Sequence, residues 1–143
     1  MAILTASTPV GHELPPVARQ FRAEHFKRGD EKTIHTDLEA ARREGLPAPV
    51  AIGPQVAALL FQQLRMCFEK GWVEGGRCEI VFRRPVFVTD FCVAKGTVTR
   101  REEGRDSVRL HCDVWIENQK GDKVVAGTAS GVVPHGSDKG IAK

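Results

Sequence analysis

Gly53-Pro54-Gln55-Val56-Ala57-Ala58-Leu59-Leu60-Phe61-Gln62-Gln63-Leu64-Arg65-Met66-Cys67-Phe68 is the only long stretch in which apolar residues recur at helical spacing. Proline at the first turn suits a helix start, because its missing N–H has no intrahelical acceptor there. Ala57, Leu60, Phe61, Leu64 and Phe68 fall on one face, and Ala58, Leu59 and Met66 add apolar residues elsewhere. A helix apolar on more than one side is expected to be surrounded by the rest of its domain. The reading is a helix over 54–70 with Gly71 as its stop.

Downstream the period changes to two. In Ser107 to Asn118, Val108, Leu110, Cys112, Val114 and Ile116 point one way, and Arg109, His111, Asp113, Trp115 and Glu117 the other. Strands are also read over Cys78–Phe82, Phe91–Arg101 and Lys123–Val133, with turns at Gly104 and at Lys120-Gly121-Asp122. Upstream, residues 1–16 read as an extended lead-in, Val17–Phe21 as a short strand and Arg22–Arg28 as a helical turn. Asp37 or Thr36 caps a short helix Leu38–Glu44 that Gly45 ends. Strands joined by hairpins want an antiparallel sheet. One long apolar helix must then lie against it. The fold class is α+β, a curved antiparallel sheet wrapped around one central helix. The small residues Ala126, Gly127, Ala129, Ser130 and Gly131 in the last strand permit close approach by another backbone or helix, which suits a dimer.

The chain has 143 residues, one domain by length. It is read as a single domain over 1–134 and a disordered tail over 135–143. Lys and Arg number 21 against 18 Asp and Glu, a formal charge of +3, too mild to imply nucleic acid. Hydrophobic residues at 41% and charged residues at 27% suit a folded domain. No apolar run is long enough to span a membrane, and the N-terminus lacks the pattern of a secretory signal. Cys67, Cys78, Cys92 and Cys112 form no C-x-x-C pair and are read as buried thiols in a reducing cytoplasm rather than disulfides.

The chemistry-bearing stretch is Asp30-Glu31-Lys32-Thr33-Ile34-His35-Thr36-Asp37, followed by Ala41, Gly45 and Val50-Ala51-Ile52-Gly53. By themselves these residues also suit a turn, a surface histidine and a helix cap, and no second His or Cys stands near His35 at metal spacing. The stretch resembles the MaoC-like, (R)-specific enoyl-CoA hydratase family. That family shows Asp-x-Asn-Pro-x-His-x-Asp, then Ala and Gly at matching intervals, then Ile-Ala-His-Gly before its central helix. Phe82-Arg83-Arg84-Pro85-Val86 with Asp90, and Val114 to Gly121 with Val124-Val125, are similar to its later strands. The resemblance covers residues 11 to 133. Lys32, Thr33 and Ile52 stand where the family has Asn, Pro and His.

The resemblance implies the hotdog fold, with Asp30 and His35 as the catalytic pair and the backbone N–H of Gly53, beside Ile52, at the substrate. It implies an acyl-thioester hydratase or dehydratase that interconverts 2-enoyl-CoA and 3-hydroxyacyl-CoA. The alternatives are a non-catalytic hotdog subunit of a heteromeric dehydratase and an acyl-CoA thioesterase. A carboxylate and an imidazole can share the two proton transfers of water addition. The charge that develops on the thioester oxygen needs a fixed donor, which a helix N-terminus supplies. No metal and no cofactor is expected, coenzyme A entering only as part of the substrate. The expected partners are an acyl-CoA or acyl carrier protein thioester and a second copy in a homodimer, with no nucleic acid or membrane.

Three basic and aromatic features have two readings each. Arg83, Arg84, Arg100, Arg101 and Arg105 are solvated strand ends or a docking place for coenzyme A phosphates. Lys32 is a surface lysine or, turned inward, a partner for a substrate carboxylate. Trp72 and Trp115 are read as core or interface packing rather than as adenine-stacking residues.

Overall fold

The computed structural model describes residues 2–137. Five strands form one antiparallel sheet: β1 (Val17–Gln20), β2 (Arg77–Phe82), β3 (Phe91–Glu103), β4 (Ser107–Glu117) and β5 (Lys123–Pro134). Their order is β1-β3-β4-β5-β2. β3, β4 and β5 follow one another as a meander, β1 pairs with β3, and β2 pairs with the far side of β5. The helices are α1 (Leu38–Arg43), α2 (Gly53–Phe68) and α3 (Lys70–Gly75), with a 3-10 turn at Ala23–His25.

The strict alternation in β4 puts Val108, Leu110, Cys112, Val114 and Ile116 on the inner face, all at most 1% exposed. Against them lie Val56, Leu59, Leu60, Leu64, Cys67 and Phe68 of α2. This is the curved antiparallel sheet around one long helix, as expected.

The helix is not enclosed on every side, however. Ala58, Phe61 and Met66 are exposed, because the sheet covers only one flank of α2. Gln63, polar and wholly buried, donates through Nε2 to Pro15 O (3.0 Å) and Ala94 O (3.2 Å), tying the lead-in to β3. The small residues of β5 serve contacts within the chain. A side chain at Gly131 would collide with the Phe68 ring, and one at Gly127 with the β2 backbone at Glu79.

Three further expectations are corrected. The long helix stops at Phe68, where Glu69 adopts φ 48°, and Gly71 lies inside α3 rather than ending α2. Cys78 is exposed on β2, an edge strand, while Cys67, Cys92 and Cys112 are buried as expected. Residues 135–137 are bonded to the domain: His135 N donates to Asp106 O, and Ala6 N donates to Ser137 Oγ. The rest of the expected tail, 138–143, lies outside the described residues. No helix among the described residues is long and apolar enough to cross a membrane.

Candidate active site

The loop 30–37 is shaped by its own hydroxyls. Thr33 N donates to Thr36 Oγ1, His35 N to Thr33 Oγ1, and Thr36 Oγ1 to Glu31 O. Asp37 then caps α1, its Oδ2 accepting from Ala40 N at 3.0 Å. This folded turn is strapped to the segment that leads into α2. Val50 N donates to Ile34 O (2.9 Å), and the His35 ring meets Val50 O through Nδ1 at 2.7 Å. A carbonyl oxygen only accepts, so Nδ1 carries the proton and Nε2 of the neutral ring keeps its lone pair.

His35 lines a cleft of about 270 Å³ with Phe26, Arg28, Glu31, Thr33, Thr36 and Ile52. A second cleft, about 300 Å³, is lined by Gly53, Val50, Ala51, Val56, Phe82, Arg83 and Arg84 among others. The Val50–Gly53 segment, which also holds His35, contributes to both: Ile52 to the first, and Val50, Ala51 and Gly53 to the second. At this end of α2, Gln55 N and Val56 N both donate to Ile52 O. Pro54 has no N–H. The Gly53 N–H meets no backbone acceptor among the described residues, so the helix presents one open donor with its positive end.

Of the expected site residues, His35 and Ile52 line one cleft, while Gly53, next to Ile52 in the chain, lines the other. Asp30 is exposed at the start of the loop and does not line the His35 cleft. Lys32 is exposed and outside that lining too; the cation facing the cleft is Arg28, which the sequence reading did not single out. The five-arginine group separates. Arg101 is structural, donating to Ala6 O and Thr8 O (both 2.6 Å), and Arg100 lies against His111 and Glu102. Arg83 and Arg84 alone of the five border a cleft beside Gly53.

Trp115 is on the outer face of the sheet, its Nε1 donating to Glu117 and the Lys123 ammonium over its ring, whereas Trp72 packs on the core. Asp90, buried, holds the turn before β3 by accepting from Phe87 N and Gln119 Nε2. Among the described residues no three His, Cys, Asp or Glu side chains are grouped to hold a metal. A cavity of about 650 Å³ is at the other end of α2 against Phe68, Gly71 and Val132, and none of the site residues line it.

Comparison with solved structures finds the same arrangement of strands and helix. An (R)-hydratase from A. caviae involved in PHA biosynthesis superposes with a TM-score of 0.70 at 24% identity, over 89% of this chain and 97% of that one. The chain has the hotdog fold. A MaoC-like dehydratase from Rhodospirillum rubrum gives a TM-score of 0.71 at 23% identity, over 89% and 93% of the two chains. A ChsH1–ChsH2 complex from Mycobacterium tuberculosis gives 0.64 at 17%, over 87% and 96%. No family model and no curated protein sequence matches the chain.

Proposed function

We propose that this hotdog protein is an acyl-thioester hydratase or dehydratase that interconverts a 2-enoyl and a 3-hydroxyacyl thioester carried on coenzyme A. The observation that carries the reading is the His35 ring, fastened at Nδ1 to Val50 O and lining a cleft together with Ile52, the residue before Gly53. In the hydration direction the water oxygen bonds to C3 as Nε2 takes its proton. The electron pair of the C2–C3 double bond shifts toward the thioester oxygen, where the Gly53 N–H at the positive end of α2 stabilises the charge. Protonation at C2 completes the addition. Asp30, on the same loop, carries the second proton transfer in this reading. The chemistry asks for no metal and no separate cofactor.

A second reading has support of its own. Asp30 stands outside the cleft lining, and Ile52 gives the His35 cleft an apolar side chain where a polar one would assist proton transfer. A structural neighbour is a two-component complex by its name. These observations favour a non-catalytic subunit that shapes the acyl site of a partner. A thioesterase on the same fold differs from both by its free-thiol product.

The deciding experiment follows loss of the conjugated enoyl-thioester absorbance with thiol release monitored in parallel, in wild type, Asp30→Asn and His35→Ala. The hydratase reading expects turnover by wild type alone and rate losses of about a hundredfold or more in both variants with unchanged melting. Unchanged hydration in His35→Ala sinks it. Inactivity of the isolated wild type, restored by a second hotdog chain, selects the subunit reading.

We also infer a homodimer in a reducing cytoplasm. The β2 strand is an open sheet edge with Val81 62% and Phe82 51% exposed, and Phe61 on α2 is 42% exposed. Open edges and exposed aromatic residues are liabilities that a second copy covers. Sedimentation of wild type and Phe61→Glu tests this. A monomeric wild type rejects it.

A further inference from the structure

The loop that carries His35 begins with a tight turn, and the turn sorts the charged residues around it. Glu31 N donates to Arg28 O (3.4 Å), and Gly29, at φ 59°, takes the first corner, a left-handed position that suits glycine. Asp30 takes the second corner, where it is exposed, and Lys32 beyond the turn is exposed too; neither lines the His35 cleft. Arg28 and Glu31, the two ends of the turn, both line it. Their backbone groups are bonded, Glu31 O accepting from Thr36 Oγ1, but among the described residues neither side chain enters a hydrogen bond or an ion pair. The cleft beside His35 therefore carries a guanidinium that no described residue neutralises.

The rest of the lining leaves Arg28 as the group with hydrogen bonds to give. The hydroxyls of Thr33 and Thr36 are taken up by the loop itself, the first by His35 N and the second by Thr33 N and Glu31 O. Phe26 and Ile52 supply the apolar part. At about 270 Å³ the cleft has room for about nine water-sized groups, the size of a short acyl group with a polar end. A plain hydrocarbon tail would strip water from Arg28 and Glu31 and return no hydrogen bond. A guanidinium fork matches the two oxygens of a carboxylate and keeps its charge at any ordinary pH. We propose that the acyl group is short and ends in a carboxylate, which Arg28 binds while C2 and C3 lie at His35. Glu31, the one carboxylate in the lining, repels the same anion and so limits the preference that Arg28 creates. The proposal rests on the thioester reading above and deepens it by naming the substrate class, a dicarboxylic acid joined to its carrier through one end. Arg28 is then the residue that sets acyl specificity.

Calorimetric titration with saturated thioesters, which have no double bond to hydrate, tests this apart from turnover. The probes are glutaryl-coenzyme A, which ends in a carboxylate, pentanoyl-coenzyme A, which ends in a methyl group, and 5-aminopentanoyl-coenzyme A, which ends in an ammonium. Their common carrier cancels from the comparison. The proteins are wild type, Arg28→Ala, Arg28→Lys, Glu31→Gln and Lys32→Ala, each checked for unchanged melting. Glutaryl-coenzyme A should bind wild type at least about tenfold more tightly than pentanoyl-coenzyme A, the size that hydrogen bonds to a charged group support. Arg28→Ala should erase that margin and leave pentanoyl-coenzyme A unaffected, with Arg28→Lys intermediate because it lacks the fork. Glu31→Gln should widen the margin, Lys32→Ala should leave it alone, and salt should shrink it. No margin in wild type overturns the proposal, whether the two probes bind equally or not at all. So does a margin that survives Arg28→Ala or disappears in Lys32→Ala, and so does tightest binding of the ammonium probe, which gives the cleft to Glu31. Failure of hydration alongside the expected margins supports the carboxylate site and sinks only the hydratase reading. Hydration of neutral enoyl thioesters without any margin sinks only the proposal made here.

Discussion

His35 Nδ1 and the Val50 carbonyl oxygen are 2.7 Å apart, and this contact ties the loop after the 3-10 turn to the residues that start the central helix. It sets both the direction of the imidazole and its tautomer. We predict that nitrogen-detected NMR of the neutral ring will show the proton on Nδ1 and a bare Nε2. A proton on Nε2 would remove the lone pair from the cleft and with it the assigned role of proton acceptor.

Gly53 lends itself to a test that separates fold from chemistry. Its φ is not in the left-handed region, and a Cβ there would make only ordinary contact with the Phe82 ring. Gly53→Ala should therefore melt within a few degrees of wild type. The added methyl would nonetheless crowd the open N–H at the helix start, so hydration should fall by about tenfold or more if a thioester oxygen has to approach it. Full activity in a stable Gly53→Ala protein would count against that donor.

Gln63 is the polar residue on which the core depends. Its Nε2 serves two carbonyls, and its Oε1 has no partner among the described residues. Gln63→Leu should lose about 1–3 kcal/mol, because removal of the donor leaves two acceptors short of hydrogen bonds. The lead-in around Pro15 should also become more open to protease. A neutral effect in urea unfolding would mean that water replaces the amide.

The sequence made the sheet readable and the site only half so, and particular residues show why. In β4 every second residue is apolar, and a period of two has one meaning on a pleated strand. Phe61 fits the helical stripe as well as Leu60 does, but periodicity cannot say how far around α2 the sheet reaches, and Phe61 is exposed. Gly71 read as a helix stop because glycine usually is one. Its actual requirement is for space, since a Cβ there would collide with the Val132 carbonyl of β5. The break falls at Glu69, a residue type with no preference for positive φ. At the site, His35 stood out by residue type and interval, with Asp37 as a cap. Its anchor at Val50 did not, because a backbone carbonyl fifteen residues away carries no mark in the sequence. Asp30 had the same sequence warrant as His35, yet loop geometry leaves it exposed, and spacing alone does not report on which side a turn faces.

The four thiols give a pH-dependent prediction whose sign is fixed by burial. Burial pushes Cys67, Cys92 and Cys112 from 9.0 up to about 12. Above pH 9 the unfolded chain releases these protons and the folded one keeps them. Their contribution to stability is thus complete below about pH 9 and is lost as pH rises toward 12. The chain has no tyrosine to confuse the titration. Urea midpoints should fall steadily from pH 8.5 to 10.5, and a variant with the three buried cysteines changed to alanine, though less stable overall, should show a shallower fall. Cys78, exposed on the β2 edge of the single chain, should be the one thiol that reacts with a disulfide reagent in the folded, dissociated protomer, and more slowly than a free thiol because partial burial raises its pKa as well. The other three should react only on unfolding. Rapid native-state reaction of more than one thiol, or identical alkaline slopes in the two proteins, would contradict the packing of these cysteines between α2 and the sheet.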